Sequence, residues 1–442
     1  MAVEITTNAI LKPFPTSPPS PHNNAVVPLT VFDKAAFDLH VAVLYAYRPP
    51  MPANEAMKEG LAKALNIFPH LAGRLSTDDQ GRQCIQLNGA GIRLIEADVP
   101  VTLAERLPLD PSPELMDFRP PIDGVKELFQ IQLNRFACGG LVIGQTAHHR
   151  VCDGQSMSAF FVTWARLVRG LDIGPLPFHD RASIAIPRNP PICEFNHREI
   201  EFKGPDNLNP SSDPSAKVVS LSSIDNLVVT FPSNFIAQLK SNIAKDCPGQ
   251  RFSTFECLLT HLWKKVTYAR GLAGDDTTQV RVAVNGRTRM RPAVPMEYFG
   301  NIVLWAYPKL KVKELIDMKY GDVAKAIHDA VANIDERYFQ SFVDFGEMMK
   351  DGHEEDKSLE ATAAEVGQSL SPNIEVDSWL RFQFHELDFG GGGPCAFLPP
   401  NMPVEGLLIM VPSSKEIGGV DVYMTLFPEC VPKFKHVSHT LS

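Results

Sequence analysis

The sequence lacks any long apolar run. Its stretches of consecutive apolar residues, such as 407–411, are far shorter than the ~20 residues that a membrane-spanning helix needs. The first twenty residues also lack a basic start followed by an apolar core, the pattern of a secretory signal. We therefore predict a cytoplasmic protein with no membrane partner.

Positive charge is also scarce. Lys and Arg total 42 against 51 Asp and Glu, which gives a net charge of −9. Because nucleic-acid binding draws on concentrated basic charge, this balance argues against a nucleic-acid partner. The eight cysteines are scattered without a CxxC pair. That distribution predicts reduced thiols rather than a disulfide or zinc framework.

What the sequence does contain is enough apolar material for two cores. The chain has 442 residues, 44% of them hydrophobic, a length that corresponds to roughly two domains of about 200 residues. Strand-like and helix-like segments alternate in both halves, which predicts an α/β fold with mixed β-sheets. Eight prolines lie between 175 and 214. We therefore predict an N-terminal domain (1–174), a crossover (175–217) and a C-terminal domain (218–442), with strands near 376–400 able to pack against the N-terminal domain.

Segment 148–154 is an HHxxxDG pattern between a predicted strand and a predicted helix. Imidazole titrates near neutrality, so His149 at the strand exit is suited to accept a proton at pH 7, while Asp153 is placed to fix the turn. From these residues alone, two other interpretations stay open: a core histidine beside a helix-capping aspartate, and a metal site without a third ligand nearby. No GxSxG segment indicates a serine nucleophile.

Two further segments have distinctive composition. Segment 388–394 is Asp-Phe-Gly-Gly-Gly-Gly-Pro, and its glycines permit positive φ and close backbone approach. No GK[ST] follows, so we predict a structural turn rather than a nucleotide loop. Segment 285–289 is Asn-Gly-Arg-Thr-Arg just after a predicted strand. Its arginines are placed either to neutralise Asp153, to contact phosphate, or to form a solvated loop.

The order and spacing of these segments, with LAGRL at 71–75 and STFE at 253–256, resemble those of the plant BAHD acyltransferases over nearly the whole chain. The resemblance implies two chloramphenicol-acetyltransferase-like domains joined by the crossover, with an active-site channel at their interface. It also implies an acyl-CoA cosubstrate and no tightly bound cofactor or metal. His149 would be the general base, and Asp153 would be structural and pair with an arginine, for which Arg287 is the candidate.

The resemblance extends to the coenzyme side of the channel. Asp388 and Gly390 would support the architecture there. The family's segment normally is DFGWG, and here Gly391 stands where tryptophan would be. This departure concerns loop packing more than catalysis. The candidates for contacts with the coenzyme are Ser253, Thr254, Lys264, Arg287 and Arg289, although several of these basic side chains are equally compatible with solvated surface.

The segment around Trp379 bears on the acceptor. Trp379 matches the tryptophan that lines the family's active site after a Ser-Trp dipeptide, and its indole nitrogen is a candidate donor to an oxyanion; a core tryptophan is the alternative. A carboxylate at Asp377 in a channel costs desolvation unless it meets a cation. Glu375, two residues away, shares its face of a regular strand. We therefore predict that Asp377, Glu375 and Ser378 bind the acceptor, and that the acceptor is an amine.

The resemblance is strongest to the amine hydroxycinnamoyltransferases. The expected reaction moves p-coumaroyl or feruloyl from its CoA thioester to an amine such as agmatine or tryptamine and forms an amide. The partners would be small molecules, and we expect a monomer. Three alternatives stay open: an O-hydroxycinnamoyltransferase for an alcohol such as shikimate, a carrier-protein-dependent condensation enzyme, which shares the HHxxxDG pattern, and a catalytically inactive binding protein.

Overall fold

The computed structural model describes residues 3–15, 24–197, 200–203, 220–349, 360–362 and 366–441. Residues 204–217, the last part of the predicted crossover, lie outside the described ranges. None of the helices in the described ranges combines the length and the apolar character that crossing a membrane requires.

Strands and helices alternate along the chain, as the pattern of the sequence predicts. The strands are β1 Glu4–Leu11, β2 Val26–Pro28, β3 His40–Tyr47, β4 Arg74–Thr77, β5 Gln83–Gln86, β6 Ile92–Val99, β7 Phe129–Phe136, β8 Leu141–His148, β9 Phe202–Lys203, β10 Asp225–Phe231, β11 Thr277–Asn285, β12 Val303–Ala306, β13 Lys309–Lys311, β14 Glu360–Ala361, β15 Ile374–Ser378, β16 Ala396–Leu398, β17 Leu407–Pro412 and β18 Val420–Leu426. The helices are α1 Val31–Ala35, α2 Asn54–Ile67, α3 Gly154–Val168, α4 Ser233–Asp246, α5 Thr254–Arg270, α6 Val312–Asp317, α7 Tyr320–Ala332, α8 Glu336–Met348 and α9 Val431–Val437.

Two large sheets carry the fold. The N-terminal sheet has the strand order β1-β6-β7-β8-β3-β16, and the C-terminal sheet has the order β10-β18-β17-β15-β11-β12, with β13 also paired to β11. In the first sheet β6 and β7 run parallel. In the second, β15 runs parallel to both β11 and β17. The remaining neighbours are antiparallel, so both sheets are mixed, as predicted.

Each half of the chain contributes one element to the other half: β16 does so as predicted for the strands near 376–400, whereas α1 departs from the predicted boundaries. Of the region 376–400, β16 pairs with β3 in the N-terminal sheet, whereas β15 lies inside the C-terminal sheet. Conversely, α1 packs into the C-terminal core, where Phe32 contacts Phe339 and Phe342 at centroid distances of 6.0 and 5.3 Å. Boundaries at 174 and 218 therefore do not separate the two cores, because periodicity marks an element and not the surface on which it packs.

Helices cover one face of each sheet. In α3, Phe160 and Trp164 are fully buried against the N-terminal sheet, and in α5, Leu262 and Trp263 are fully buried against the C-terminal sheet. Burying each such side chain contributes roughly 2–3 kcal/mol. The amphipathic stripes that the sequence shows are thus the core-facing sides of these helices.

The other faces of the two sheets meet each other. Leu44 and Val142 of the N-terminal sheet form one apolar cluster with Ile409 and Tyr423 of the C-terminal sheet, and none of the four is more than 6% exposed. The ends of β8, β11 and β15 supply the residues described next, so this contact between the sheets positions the candidate site.

Candidate active site

His149 follows the last residue of β8, a strand that is buried along its whole length. Its backbone N–H donates to the carbonyl of Leu39 at 2.9 Å, and its own carbonyl accepts from Asn301 Nδ2 at 2.9 Å. The Phe37 ring lies edge-on to the imidazole, with 5.3 Å between centroids. These contacts on both sides fix the position of the imidazole at the strand exit.

The environment of His149 favours the neutral imidazole. Burial lowers its pKa, because the charged form loses hydration, while Asp153 and Asn301 oppose the shift in part. A neutral imidazole at pH 7 can accept a proton, which is what a general base requires. The side chain of His148 has other partners: its Nε2 lies 3.4 Å from Asp38 Oδ1, and its ring packs edge-on to His40.

Asp153 and Arg287 form the ion pair that the sequence predicts. Arg287 Nη1 and Nη2 donate to the two Asp153 oxygens at 2.8 and 3.0 Å. Asp153 also caps α3 by accepting from the Ser156 N–H at 2.9 Å. Arg287 is fully buried and further donates to Ser156 Oγ and the Tyr298 carbonyl. The pair therefore joins α3 to the segment after β11. Because Arg287 is buried there, its proposed contact with the coenzyme is wrong.

A second buried ion pair, which the sequence analysis missed, also supports the histidine. Asp33 in α1 pairs with Arg181 of the crossover at 2.9 Å, and Asn301 Nδ2 donates to Asp33 Oδ1 at 3.0 Å. Arg181 also donates to the Val151 carbonyl. Because Asn301 holds the His149 carbonyl as well, α1 and the crossover both contribute to its placement. These side chains are far apart in sequence, and only their polarity in otherwise apolar surroundings could have indicated them.

The acidic pair predicted on β15 is present, with a partner that the sequence analysis did not identify. Arg281 on β11 lies beside Glu375 in the parallel register, and its Nη1 donates to Glu375 Oε2 at 3.1 Å. The guanidinium lies 4.1 Å from the centroid of the Trp305 ring and 5.8 Å from that of Phe37. Glu375 is therefore neutralised within the protein, which corrects its predicted role as a second free carboxylate for the acceptor.

Asp377 keeps an incompletely compensated carboxyl group. Burial raises its pKa to about 7, Glu375 adds to this effect, and Arg281 opposes it. The side chain nevertheless keeps some solvent exposure. Phe37 lies against both Arg281 and His149, so the acidic pair of β15 is linked to the histidine through Arg281 and Phe37.

Ser378 and Trp379 lie on different sides of this segment. Strand alternation places Ser378 on the face of Ile374 and Val376, which are buried in the C-terminal core. Its predicted contact with the acceptor is therefore corrected. Trp379 is half-buried and packs on Phe397 at 5.2 Å between centroids. Its indole N–H meets no acceptor within the described residues, which leaves it available to a ligand.

A cavity of about 200 Å³ lies between the two sheets beside this tryptophan. Phe384 and Phe397 line it from the N-terminal side, and Val411 and Tyr423 line it from the C-terminal side. Phe397 also touches Trp379, so the cavity adjoins the candidate site.

The glycine-rich segment forms a turn that binds the N-terminal domain. Asp388 Oδ1 accepts from the Gly390 and Gly392 N–H groups at 2.7 and 2.8 Å, and Oδ2 pairs with Arg169 at 3.1 Å. Gly390 has φ 118°, which other residues rarely adopt. A Cβ at Gly391 would lie 2.1 Å from the Pro50 carbonyl oxygen. In this conformation, therefore, position 391 has no room for the tryptophan that the family usually has.

The predicted coenzyme contacts separate into two groups. Ser253 caps the N-terminus of α5 in a capping box with Glu256, and Ser253 is exposed while Thr254 is half-buried. Arg289 is half-buried as well. Lys264, in contrast, donates to the carbonyls of Leu315, Ile316 and Met318 at 2.6 to 3.0 Å. Its ammonium group stabilises the C-terminal end of α6 and cannot also reach a phosphate, so that prediction is wrong.

Two facing mixed sheets, a crossover between them and a neutral histidine at their junction define the class of the protein, a two-domain acyltransferase. A model of the Transferase family matches residues 1–441. The chain belongs to this family, the BAHD acyltransferases that its motifs resemble.

Several proteins of known name are similar over almost the full chain. Tryptamine hydroxycinnamoyltransferase 2 of Oryza sativa subsp. japonica is 48% identical, with 100% of this chain and 99% of that protein covered. Agmatine hydroxycinnamoyltransferase 1 of the same organism is 44% identical, with 100% and 99% covered. Shikimate O-hydroxycinnamoyltransferase of Nicotiana tabacum is 31% identical, with 98% and 99% covered.

Solved structures share the fold. Vinorine synthase superimposes with a TM-score of 0.73 at 19% identity, with 98% of this chain and 96% of that chain covered. TRI101 of F. sporotrichioides, solved with coenzyme A and T-2, gives a TM-score of 0.70 at 18% identity, with 93% and 97% covered. These likenesses confirm the predicted two-domain α/β fold.

Proposed function

We propose that the protein transfers a hydroxycinnamoyl group, p-coumaroyl or feruloyl, from its CoA thioester to the nitrogen of an amine and so forms an amide. The observation that carries this proposal is the buried carboxyl group of Asp377, which Arg281 compensates only in part because Arg281 is paired with Glu375. A cationic acceptor supplies the missing charge, and a neutral alcohol does not. The names of the tryptamine and agmatine relatives support an amine, and the relative named for shikimate is more distant.

His149 acts on the proton of the acceptor. The neutral imidazole removes a proton from the amine nitrogen as that nitrogen attacks the thioester carbonyl carbon. A C–N bond forms, and the C–S bond breaks when the tetrahedral intermediate collapses. The departing thiolate takes the proton from the imidazolium, which restores the neutral base for the next cycle.

Trp379 is the proposed donor to the oxyanion of that intermediate. Its indole N–H has no acceptor in the described part of the chain, and its ring is held by Phe397 and Phe382. A donor that is already oriented stabilises the developing negative charge without reorganisation.

An amine with a pKa near ~10 arrives largely as its ammonium form. The ionised Asp377 binds that form and places it beside His149, although a carboxylate also favours retention of the proton. The ammonium releases one proton to solvent before attack, and His149 takes the second as the C–N bond forms. The gain from Asp377 is therefore placement of the acceptor nitrogen beside the thioester.

The acyl-CoA is proposed to approach the N-terminal end of α5. Ser253 and Thr254 lie there, and Arg289 is the remaining basic candidate from the segment after β11. The preference for p-coumaroyl-CoA or feruloyl-CoA and the monomeric state remain predictions, to be checked by donor competition and by light scattering.

The test is an acceptor screen with p-coumaroyl-CoA, using tryptamine, agmatine and shikimate, on the wild-type protein and on His149→Ala. We expect amide formation with an amine and a fall in kcat by a factor of roughly 10² to 10⁴ in the variant, the usual contribution of a general base. Asp329→Asn, which alters an exposed ion pair with Lys325, is the matched control and should keep wild-type rates. Full activity of His149→Ala would contradict the assignment of the base, and transfer to shikimate alone would contradict the amine acceptor.

A further inference from the structure

Arg281 is the charged residue of the site that the proposed reaction does not use. It projects from the middle of β11, is 7% exposed, and within the described residues makes one side-chain hydrogen bond, of 3.1 Å, to Glu375. Its guanidinium is held between Trp305 and Phe37, at 4.1 and 5.8 Å from the ring centroids. Two aromatic neighbours and one carboxylate fix its position next to the acidic pair.

The charges of this group can be counted. Glu375 and Asp377 contribute two carboxylates, and Arg281 contributes one guanidinium. The ion pair removes Glu375 from the count, so one negative charge, that of Asp377, is left for a ligand. Without Arg281 the same pocket would hold two negative charges.

The unpaired N–H groups of Arg281 also disfavour a second positive charge on the acceptor. Its Nε and Nη2 are buried and meet no acceptor in the described ranges of the chain. A guanidinium or a second ammonium group placed beside them would face like charge and further donors, with no acceptor between them. An uncharged aromatic ring carries no charge and needs no acceptor, so it meets no such penalty beside the half-buried Phe37.

The geometry points to Arg281 as the residue that sets acceptor specificity: by neutralising Glu375 it makes the pocket selective for amines that carry one positive charge, such as arylalkylamines, over amines that carry two. This inference rests on the proposed function, since it names the class of amine that the proposed reaction uses. Arg281 touches neither the reacting atoms nor His149, so it is a specificity-determining residue and not a catalytic one.

The test is a charge cycle at residues 281 and 375, read as the ratio of kcat/KM for agmatine, a dication, to kcat/KM for tryptamine, a monocation. Assays use p-coumaroyl-CoA at pH 8, where Asp377 is ionised. We expect the wild-type protein to favour tryptamine. In Arg281→Met the pocket gains an unpaired carboxylate, and the ratio should rise at least about tenfold, as expected for one added charge in a partly buried site.

The other two corners separate charge from packing. Glu375→Gln leaves Arg281 facing Asp377, so KM should rise for both amines by roughly tenfold. The double variant Arg281→Met/Glu375→Gln restores a single negative charge and should return the ratio to within about threefold of wild type. Because it removes both members of the buried ion pair together and leaves Asp377 as the one carboxylate, it also stays informative if Arg281→Met alone folds poorly.

The control is Arg82→Met, which removes an arginine from an exposed ion pair with Asp78 and should leave the ratio unchanged. An unchanged ratio in Arg281→Met, or a double variant that retains the altered ratio of Arg281→Met, would overturn the inference about Arg281 while the amine transferase activity stands. A folded wild-type protein that acylates no amine would overturn the proposed function itself.

Discussion

Two buried arginines in or next to β11 differ in how fully the charges around them are paired. Arg287, just after β11, donates to both oxygens of Asp153, to a hydroxyl and to a carbonyl. Arg281, six positions earlier, makes one hydrogen bond to a carboxylate whose neighbour Asp377 is left uncompensated. The first arrangement pairs both carboxylate oxygens, leaves only Arg287 Nε without a partner in the described residues, and joins two segments without a ligand. The second is incomplete, and an incomplete buried charge group is what a ligand of opposite charge can finish.

The largest effect is expected when one member of the Asp153–Arg287 ion pair is removed. Arg287→Met leaves Asp153 buried without its partner, and removal of one member of a buried ion pair costs roughly 3–5 kcal/mol. We expect a large fall in the free energy of unfolding, measured by urea denaturation. The exposed Arg82→Met serves as control, with a change below about 0.5 kcal/mol. A loss for Arg287→Met as small as that of the control would show that the pair is not structural.

The incomplete group should respond in function more than in stability. In Asp377→Asn the ammonium group loses its carboxylate, and kcat/KM for amines should fall by a factor of roughly 10 to 100. The loss should be selective, because a neutral acceptor does not use this charge. Steady-state kinetics with tryptamine and with an alcohol acceptor measure the two effects side by side. Equal losses for both acceptors would contradict the proposal that Asp377 binds the amine.

The pH dependence of kcat/KM also tests the role of the Asp377 carboxylate. The pKa of Asp377 is raised to about 7, so the carboxylate is lost as pH falls through 7. The ratio of wild-type to Asp377→Asn kcat/KM with tryptamine should therefore increase with pH up to about 7 and level off above about 8. Taking this ratio cancels the titration of the amine and of His149, which both proteins share. A ratio that is flat from pH 5.5 to 9 would contradict the role of this carboxylate.

The smallest expected effect is a gain in stability. A carboxyl group whose pKa is higher in the folded state than in the unfolded chain binds more protons when folded, so its contribution to stability falls as pH rises from about 4 to 7. Asp377→Asn removes this penalty. We expect a gain of about 1 kcal/mol at pH 8, discounted for the partial exposure of the group, and almost none at pH 4. Thermal unfolding at both pH values measures it, and a lower Tm at pH 8 would contradict the expectation.

The segments that were predictable are those in which one short stretch carries the information. The HHxxxDG pattern identified His149 and Asp153, the cap of α3. The pairing of Asp153 with Arg287 followed from the resemblance. The acidic residues of β15 were recognisable from strand alternation. Lys264 was misassigned because a basic side chain near a helix looks the same in sequence whether it meets solvent or the carbonyls of another helix.

Arg281 and Asn301 were not predictable for a related reason. Each acquires its role from partners distant in the chain, Glu375 and Phe37 in one case and Asp33 and the His149 carbonyl in the other. A buried polar group is defined by what surrounds it, and periodicity reports only that a position faces inward.

The sequence by itself determined the family, the two-part α/β organisation, the position of the histidine and the acidic pair on β15. All of these depend on local patterns and on composition. The tertiary structure decided which half of the chain each element joins, since α1 and β16 change sides, and which charges remain unpaired. That division has a physical cause: secondary structure follows from neighbours along the chain, whereas charge compensation follows from neighbours in space, and here β11 and β15 bring Arg281 and Glu375 together across 94 positions.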